Sequence, residues 1–266
     1  MKGRVLVIAG SDSGGGAGIQ ADIKTVTALG GYAATAITAL TAQNTEGVFG
    51  VVPVTTDFIV QQIDLVLGDI GADSIKTGML HSAEVIEAVT VALDAAGAGI
   101  PRVVDPVMVA KGGASLLEDS AVGALKTVLI PTAAVITPNL PEAETLLGTP
   151  IAGADDMPEA ARALLALGPA AVLLKGGHLP GKQIVDVLAT ADGIESFTGP
   201  RIETRHTHGT GCTLASAIAT GLAQGLALHD AVARARDYVT EAIRRAPGYG
   251  KGHGPLDHGH TVRAED

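Results

Sequence analysis

Tryptophan is absent from the sequence, and the aromatic residues are three tyrosines and three phenylalanines, 2% of the chain. A core of any size must therefore be built from aliphatic side chains, and hydrophobic residues at 47% supply them. Charged residues are also scarce, at 17%, too few for a disordered chain kept in solution by charge. Positive charge is the scarcer sign. Eighteen Lys and Arg against 28 Asp and Glu leave a net charge of −10, which argues against a broad basic face for nucleic acid or an anionic membrane. The one cysteine, Cys212, excludes an intrachain disulfide framework and argues against a Cys-based zinc site. Long apolar runs are missing too. Residues 5–9 are too short for a signal peptide. The uncharged stretch 25–45 is interrupted by threonines and by Gly30-Gly31, whereas a membrane span needs roughly 20 mostly apolar residues. A cytoplasmic location is expected.

What is present is alternation. Short β-rich apolar runs at 5–9, 32–40, 48–54, 74–77, 102–105, 133–137 and 170–174 are separated by helical patterns at 19–29, 58–67, 83–96, 120–128 and 158–167. Residues 185–189 and 194–197, split by Thr-Ala-Asp-Gly, predict a hairpin. Helices at 213–224 and 230–245 follow. The pattern predicts an α/β fold of three αβα layers around a central, mostly parallel sheet. The 266 residues suffice for one large domain, and neither linker nor repeat divides them. The Gly/His-rich segment 248–266 is expected to be a flexible tail rather than a metal site.

In open α/β sheets ligands bind beyond the carboxyl ends of the strands. Four predicted strands end in polar clusters: the glycine loop 10–18, Asp105-Pro106-Val107, Thr137-Pro138-Asn139 with Glu142, and Lys175-Gly176-Gly177. The glycine loop fits neither a P-loop nor a dinucleotide-binding spacing, so it reads equally as a tight turn. Gly209-Thr210-Gly211-Cys212 precedes an Ala-rich helix. Glycines there let the helix's first amides and its dipole form an anion hole for a phosphoryl group. A helix N-terminus lowers a thiol pKa, so Cys212 is a candidate proton acceptor, with a small buried filler as the plain alternative. Asp105 and Glu142 are candidate Mg²⁺ ligands, or else a turn residue and a first-turn helix residue. Lys175 beside two glycines suits a phosphate.

These segments, together with Ala9–Asp22, Thr41-Ala42-Gln43-Asn44, Lys76-Thr77-Gly78-Met79 and the tail around His253-Gly254-Pro255, resemble hydroxymethylpyrimidine/phosphomethylpyrimidine kinases, in order along nearly the whole chain. The resemblance implies the ribokinase-like fold and ATP-dependent phosphorylation of 4-amino-5-hydroxymethyl-2-methylpyrimidine, then of its monophosphate, for thiamine biosynthesis. It implies that Gln43 bonds the aminopyrimidine and that Asp22, Ala17, Met79 and Val107 surround the ring. It makes Cys212 the base and Gly209, Thr210 and Gly211 the anion hole. Lys175 and Asn139 fall to the ATP phosphates, and Asp105 and Glu142 to Mg²⁺. Members of the family are often homodimers. A pyridoxal or pyridoxine kinase is the enzymatic rival, since those vitamins also carry a hydroxymethyl group on a nitrogen ring. A non-catalytic pyrimidine-binding protein would not need the anion hole. Glycines at 112 and 113 after Lys111 suggest a loop closing over the substrate.

Overall fold

The computed structural model describes residues 2–109, 113, 116–118 and 120–262. The loop expected to close over the substrate, at Lys111 and Gly112, lies outside the described residues.

Nine strands form one sheet in the order β3-β2-β1-β4-β5-β6-β7-β8-β9. They are β1 (Arg4–Asp12), β2 (Tyr32–Gln43), β3 (Val48–Pro53), β4 (Ser74–Thr77), β5 (Arg102–Val104), β6 (Val135–Ile136), β7 (Ala171–Leu174), β8 (Gln183–Thr190) and β9 (Gly193–Pro200). Strands β2, β1, β4, β5, β6 and β7 run parallel, while β3, β8 and β9 pair antiparallel at the two edges. The β8–β9 hairpin is the one expected, turning between Thr190 and Gly193.

The central strands are buried on both faces, as parallel strands under helices must be. In β1 the alternation assigns Val5, Val7 and Ala9 to one core and Leu6 and Ile8 to the other. The first core is covered by α1 (Gly18–Ala28), α7 (Thr210–Ala223) and α8 (Leu228–Arg244). The second is covered by α2 (Thr56–Asp69), α3 (Ala83–Ala96), α4 (Ala121–Ala124), α5 (Leu140–Leu147) and α6 (Met157–Leu165). This is the three-layer αβα fold expected from the alternation. One helix departs from expectation: 120–128 is a single α-turn, α4, that widens into a π-turn at Leu125–Leu129 and tightens to a 3₁₀-turn at Ile130–Thr132. Pro131 removes an amide there and stops the helix.

The expected flexible tail is instead packed onto the body as far as it is described. Leu256, Asp257 and His258 are buried. The Tyr238 hydroxyl donates to His258 O at 2.6 Å, and His253 N–H donates to Thr45 O at 2.8 Å. The glycines that suggested looseness serve close approach, since a Cβ on Gly252 would overlap the Thr45 carbonyl. No helix among the described residues is long and apolar enough to cross a membrane.

Candidate active site

A cavity of about 730 Å³ opens where β1, β2, β4, β5, β6 and β7 end, with the first turn of α7 forming one wall. Its lining includes Ala17, Gln43, Met79, Asp105, Val107, Asn139, Glu142, Lys175, Gly209, Thr210, Gly211 and Cys212. Seven separate segments contribute these residues: six lie at the ends of the parallel strands, which the parallel register brings to the same edge of the sheet, and the seventh is the first turn of α7.

Asp22 is not among them. On α1, the inward stripe is Ile19, Asp22, Thr25 and Val26, so Asp22 points into the layer between α1, α7 and the sheet. There it is fully buried and pairs with Lys76 of β4 at 2.9 Å, and accepts from Ser216 Oγ at 2.6 Å. It lies behind the cavity wall rather than in it.

Gly209 caps α7 with φ +84°, a left-handed conformation that L side chains rarely adopt, and a Cβ there would overlap the Gly16 carbonyl. The glycine loop and the start of α7 touch at this point because neither carries a side chain. An α-helix leaves its first amides without intrahelical acceptors, and those of Gly211 and Cys212 stand at the cavity wall. A Cβ on Gly211 would lie 3.3 Å from Lys175 Nζ and 3.5 Å from Asp105 Oδ2, so the backbone, the ammonium and the carboxylate meet at one spot.

Around that spot the charges are tightly arranged. Lys175 Nζ is 3.1 Å from Asp105 Oδ1, which also accepts from Thr137 Oγ1 at 3.1 Å. Burial pulls the Lys175 ammonium down, but Asp105 and Glu142 outweigh it, so the side chain stays protonated. Glu142 and Asn139 form a capping box for α5: Asn139 Oδ1 accepts from Glu142 N–H at 2.9 Å, and Glu142 Oε2 from Asn139 N–H at 2.8 Å. The plain first-turn reading of Glu142 is thus also true of it. Burial pushes its carboxyl up to about 7, with Lys175 pulling it down and Asp105 pushing it up.

Cys212 sits in the first turn of α7, but its thiol is not the low-pKa group expected from that position. Burial pushes it up to about 11; Lys76 pulls it down, while Asp22 and Asp105 push it further up. Desolvation of the anion outweighs the favourable end of the helix.

Two side chains that organise the site were missed in the sequence. Asp12 Oδ1 accepts from Gly14 N–H at 2.7 Å, and Oδ2 accepts from Gly16 N–H at 3.0 Å and Ala17 N–H at 2.7 Å, which folds the glycine loop around one carboxylate. His208 Nε2 reaches the same Oδ2 at 2.9 Å. The signal was available: an Asp two residues before a run of glycines is placed to bond the amides that follow it.

A parallel sheet ending in a lysine, carboxylates and a glycine-opened helix, around a cavity of this size, defines a small-molecule kinase of the ribokinase-like type. Comparison with known proteins narrows the class. The chain belongs to the phosphomethylpyrimidine kinase family, whose model matches residues 12–257. It is 54% identical over 265 residues to the thiamine biosynthesis bifunctional protein ThiED of Geobacter sulfurreducens, covering all of this chain and 54% of that one, so it spans about half of that longer relative. It is 50% identical over 256 residues to the hydroxymethylpyrimidine/phosphomethylpyrimidine kinase of Bacillus subtilis, covering 96% of this chain and 94% of that one. Among solved structures it superposes on the pyridoxal kinase of Bacillus subtilis in its ADP complex with a TM-score of 0.90 at 38% identity, over 97% of this chain and 98% of the other.

Proposed function

We propose that the chain is an ATP-dependent kinase that phosphorylates 4-amino-5-hydroxymethyl-2-methylpyrimidine and then its monophosphate. The observation that carries this reading is the convergence of Gln43, Lys175 and the first turn of α7 on one cavity. An amide suited to an aminopyrimidine edge, a cation suited to phosphate and a set of helix amides are thereby within one ligand's reach. The names of the relatives support the same substrate class.

In this reading Gln43 bonds the ring edge, and Ala17, Met79 and Val107 pack against its faces. Lys175 holds ATP phosphate oxygens, with Asn139 beside them. The amides at Gly209, Thr210 and Gly211 receive the charge that develops on the phosphoryl group in transfer. Cys212 takes the proton of the substrate hydroxymethyl group. It is a protonated thiol at neutral pH, so it acts in a minor thiolate form, whose high pKa makes it the stronger base.

Asp105 and Glu142 are the residues that would hold Mg²⁺. Among the described residues no three His, Cys, Asp or Glu side chains come together as a metal cage. Two carboxylates beside a lysine nevertheless fit Mg²⁺, which takes one or two carboxylates and completes its shell with water and phosphate oxygens. When bound, the ion neutralises phosphate charge. Lys175 Nζ, 3.1 Å from Asp105 Oδ1, orients that carboxylate beside the phosphate position.

The superposition on a pyridoxal kinase favours pyridoxine or pyridoxal as a second substrate class for the same cavity. A coupled ADP-release assay with Mg-ATP separates the readings. Turnover of hydroxymethylpyrimidine and its monophosphate is expected. Turnover of pyridoxine alone would move the assignment to the vitamin B6 compounds, and no turnover of any of the three by folded protein would overturn both.

A further inference from the structure

Neither Asp12 nor His208 has a role in the reading above, yet the two join the halves of the site. Asp12 ends β1 and is 2% exposed. Its Oδ1 accepts from Gly14 N–H at 2.7 Å, and its Oδ2 from Gly16 N–H at 3.0 Å and Ala17 N–H at 2.7 Å. His208 Nε2 meets that same Oδ2 at 2.9 Å. Burial alone would push the carboxyl up, but the hydrogen bonds it accepts, that of His208 foremost, hold it down to about 2. A carboxylate accepts and does not donate, so Nε2 carries the hydrogen of this bond.

The imidazole lies close against the glycine loop, since a Cβ on Gly16 would stand 2.5 Å from His208 Cδ2. The His208 main chain is held from the C-terminal segment, its N–H donating to Gly254 O at 3.2 Å. The next residue is Gly209, the left-handed cap of α7, where a Cβ would overlap the Gly16 carbonyl. The glycine loop also supports the opposite end of the cavity. Ala17 lines it, and Ser13 Oγ donates to Gln43 O at 2.9 Å and accepts from Gln43 N–H at 2.9 Å. One carboxylate oxygen thus bonds both the amide of Ala17 and the side chain that precedes the first turn of α7.

We propose that Asp12 and His208 are positioning residues whose bond sets the start of α7 against the glycine loop, and so fixes the distance between the bound acceptor and the amides that receive the phosphoryl group. This rests on the reading that those amides form the anion hole. The pair acts through Gly209 and the glycine loop rather than on a ligand. Catalysis of phosphoryl transfer is mostly positioning and charge stabilisation, and a displacement of about 1 Å costs about 10²-fold in rate. Binding of ADP in the ground state depends far less on that distance, so the loss falls on kcat.

The test compares His208→Leu with His208→Gln. Glutamine Nε2 lies as many bonds from Cα as histidine Nε2 and can donate to Asp12, whereas leucine cannot. His208→Leu should lower kcat for hydroxymethylpyrimidine by about 10²-fold while the Kd for ADP changes little. Its affinity for ADP with aluminium fluoride, which mimics the phosphoryl group in transfer, should fall by a factor similar to kcat. His208→Gln should restore most of both. Full kcat in His208→Leu would overturn the proposal. So would equal losses of affinity for ADP and for ADP with aluminium fluoride, or a His208→Gln as impaired as His208→Leu, since general loosening of the site has those effects. A second measurement needs no variant. In ¹⁵N-labelled wild type, the His208 ring, assigned through its neighbours in the chain, should carry its proton on Nε2 and exchange it slowly. A bare Nε2, or a freely exchanging proton, would sink the proposal whether or not the variants fold. Failure of the wild type to phosphorylate the pyrimidine would count against the substrate assignment instead, and binding of ADP with aluminium fluoride would still decide the role of the pair.

Discussion

Lys76 and Asp22 form an ion pair shut off from solvent. Lys76 Nζ lies 2.9 Å from Oδ2 and 3.0 Å from Oδ1, and both side chains are fully buried. The pair joins β4 to α1, and Ser216 ties α7 to the same carboxylate. Removing one partner leaves the other charged and desolvated. Lys76→Met should therefore cost about 3–5 kcal/mol of stability, and the double variant Lys76→Met/Asp22→Leu should recover most of it. Urea unfolding of the three proteins checks this. A single variant as stable as the wild type would show that water reaches the pair.

Acid should loosen the packed C-terminal segment first. Burial holds the His258 imidazole down to about 4 from the ordinary 6.5, with Lys24 adding to the effect. Thr213 Oγ1 donates to Gly209 O at 2.8 Å, and His258 Nε2 lies 3.0 Å from that hydroxyl. Between pH 6.5 and 4 the unfolded chain binds a proton at His258 and the folded chain does not. Stability therefore falls as pH drops through that window, by up to about 3 kcal/mol from this residue. His258→Gln should flatten that part of a stability-against-pH curve. An unchanged slope in the variant would refute the assignment.

Gly209→Ala should be nearly inactive. The new methyl would require φ +84° of an L residue and would overlap Gly16 O, pushing the glycine loop off the first turn of α7. A misplaced oxyanion donor costs about 10²–10³ in kcat. Steady-state kinetics beside a thermal melt separate this from unfolding: kcat should fall by far more than the melting temperature suggests.

Cys212→Ser should lower kcat by about 10²–10⁴, the usual range for a lost proton acceptor, with the pyrimidine still bound. Calorimetric titration with the pyrimidine, run beside the turnover assay, tests both halves. Undiminished turnover would return Cys212 to the role of a small filler.

The layers of the fold were legible because helix and strand periods alternate cleanly along the chain. The position of the cavity followed from the sheet rule, and the cavity-lining candidates lie where strand ends put them. Asp22 was misplaced because a residue's place in a helix does not say whether its inward side meets a ligand or a partner charge; here the partner was Lys76. Lys76 itself was unreadable as half of an ion pair. β4 is buried along its whole length, so its alternation carries no polarity signal. The thiol of Cys212 was misjudged because the sequence displays the helix start but not the desolvation around it. The tail was misread because glycine looks the same whether it serves freedom or close contact.

Several bonds that tie the first part of the chain to the last are long in sequence. Asp12 and His208 are separated by 196 positions, Asp22 and Ser216 by 194, and Thr45 and Gly252 by 207. A chain growing from its N-terminus makes the first member of each pair early and then waits. Until His208 and Ser216 have left the ribosome, the Asp12 and Asp22 carboxylates remain without these partners, and the α7 wall of the cavity does not exist. Neither nucleotide nor pyrimidine can therefore template the folding of a half-made chain, and the order of synthesis places ligand binding among the last events in the molecule's assembly.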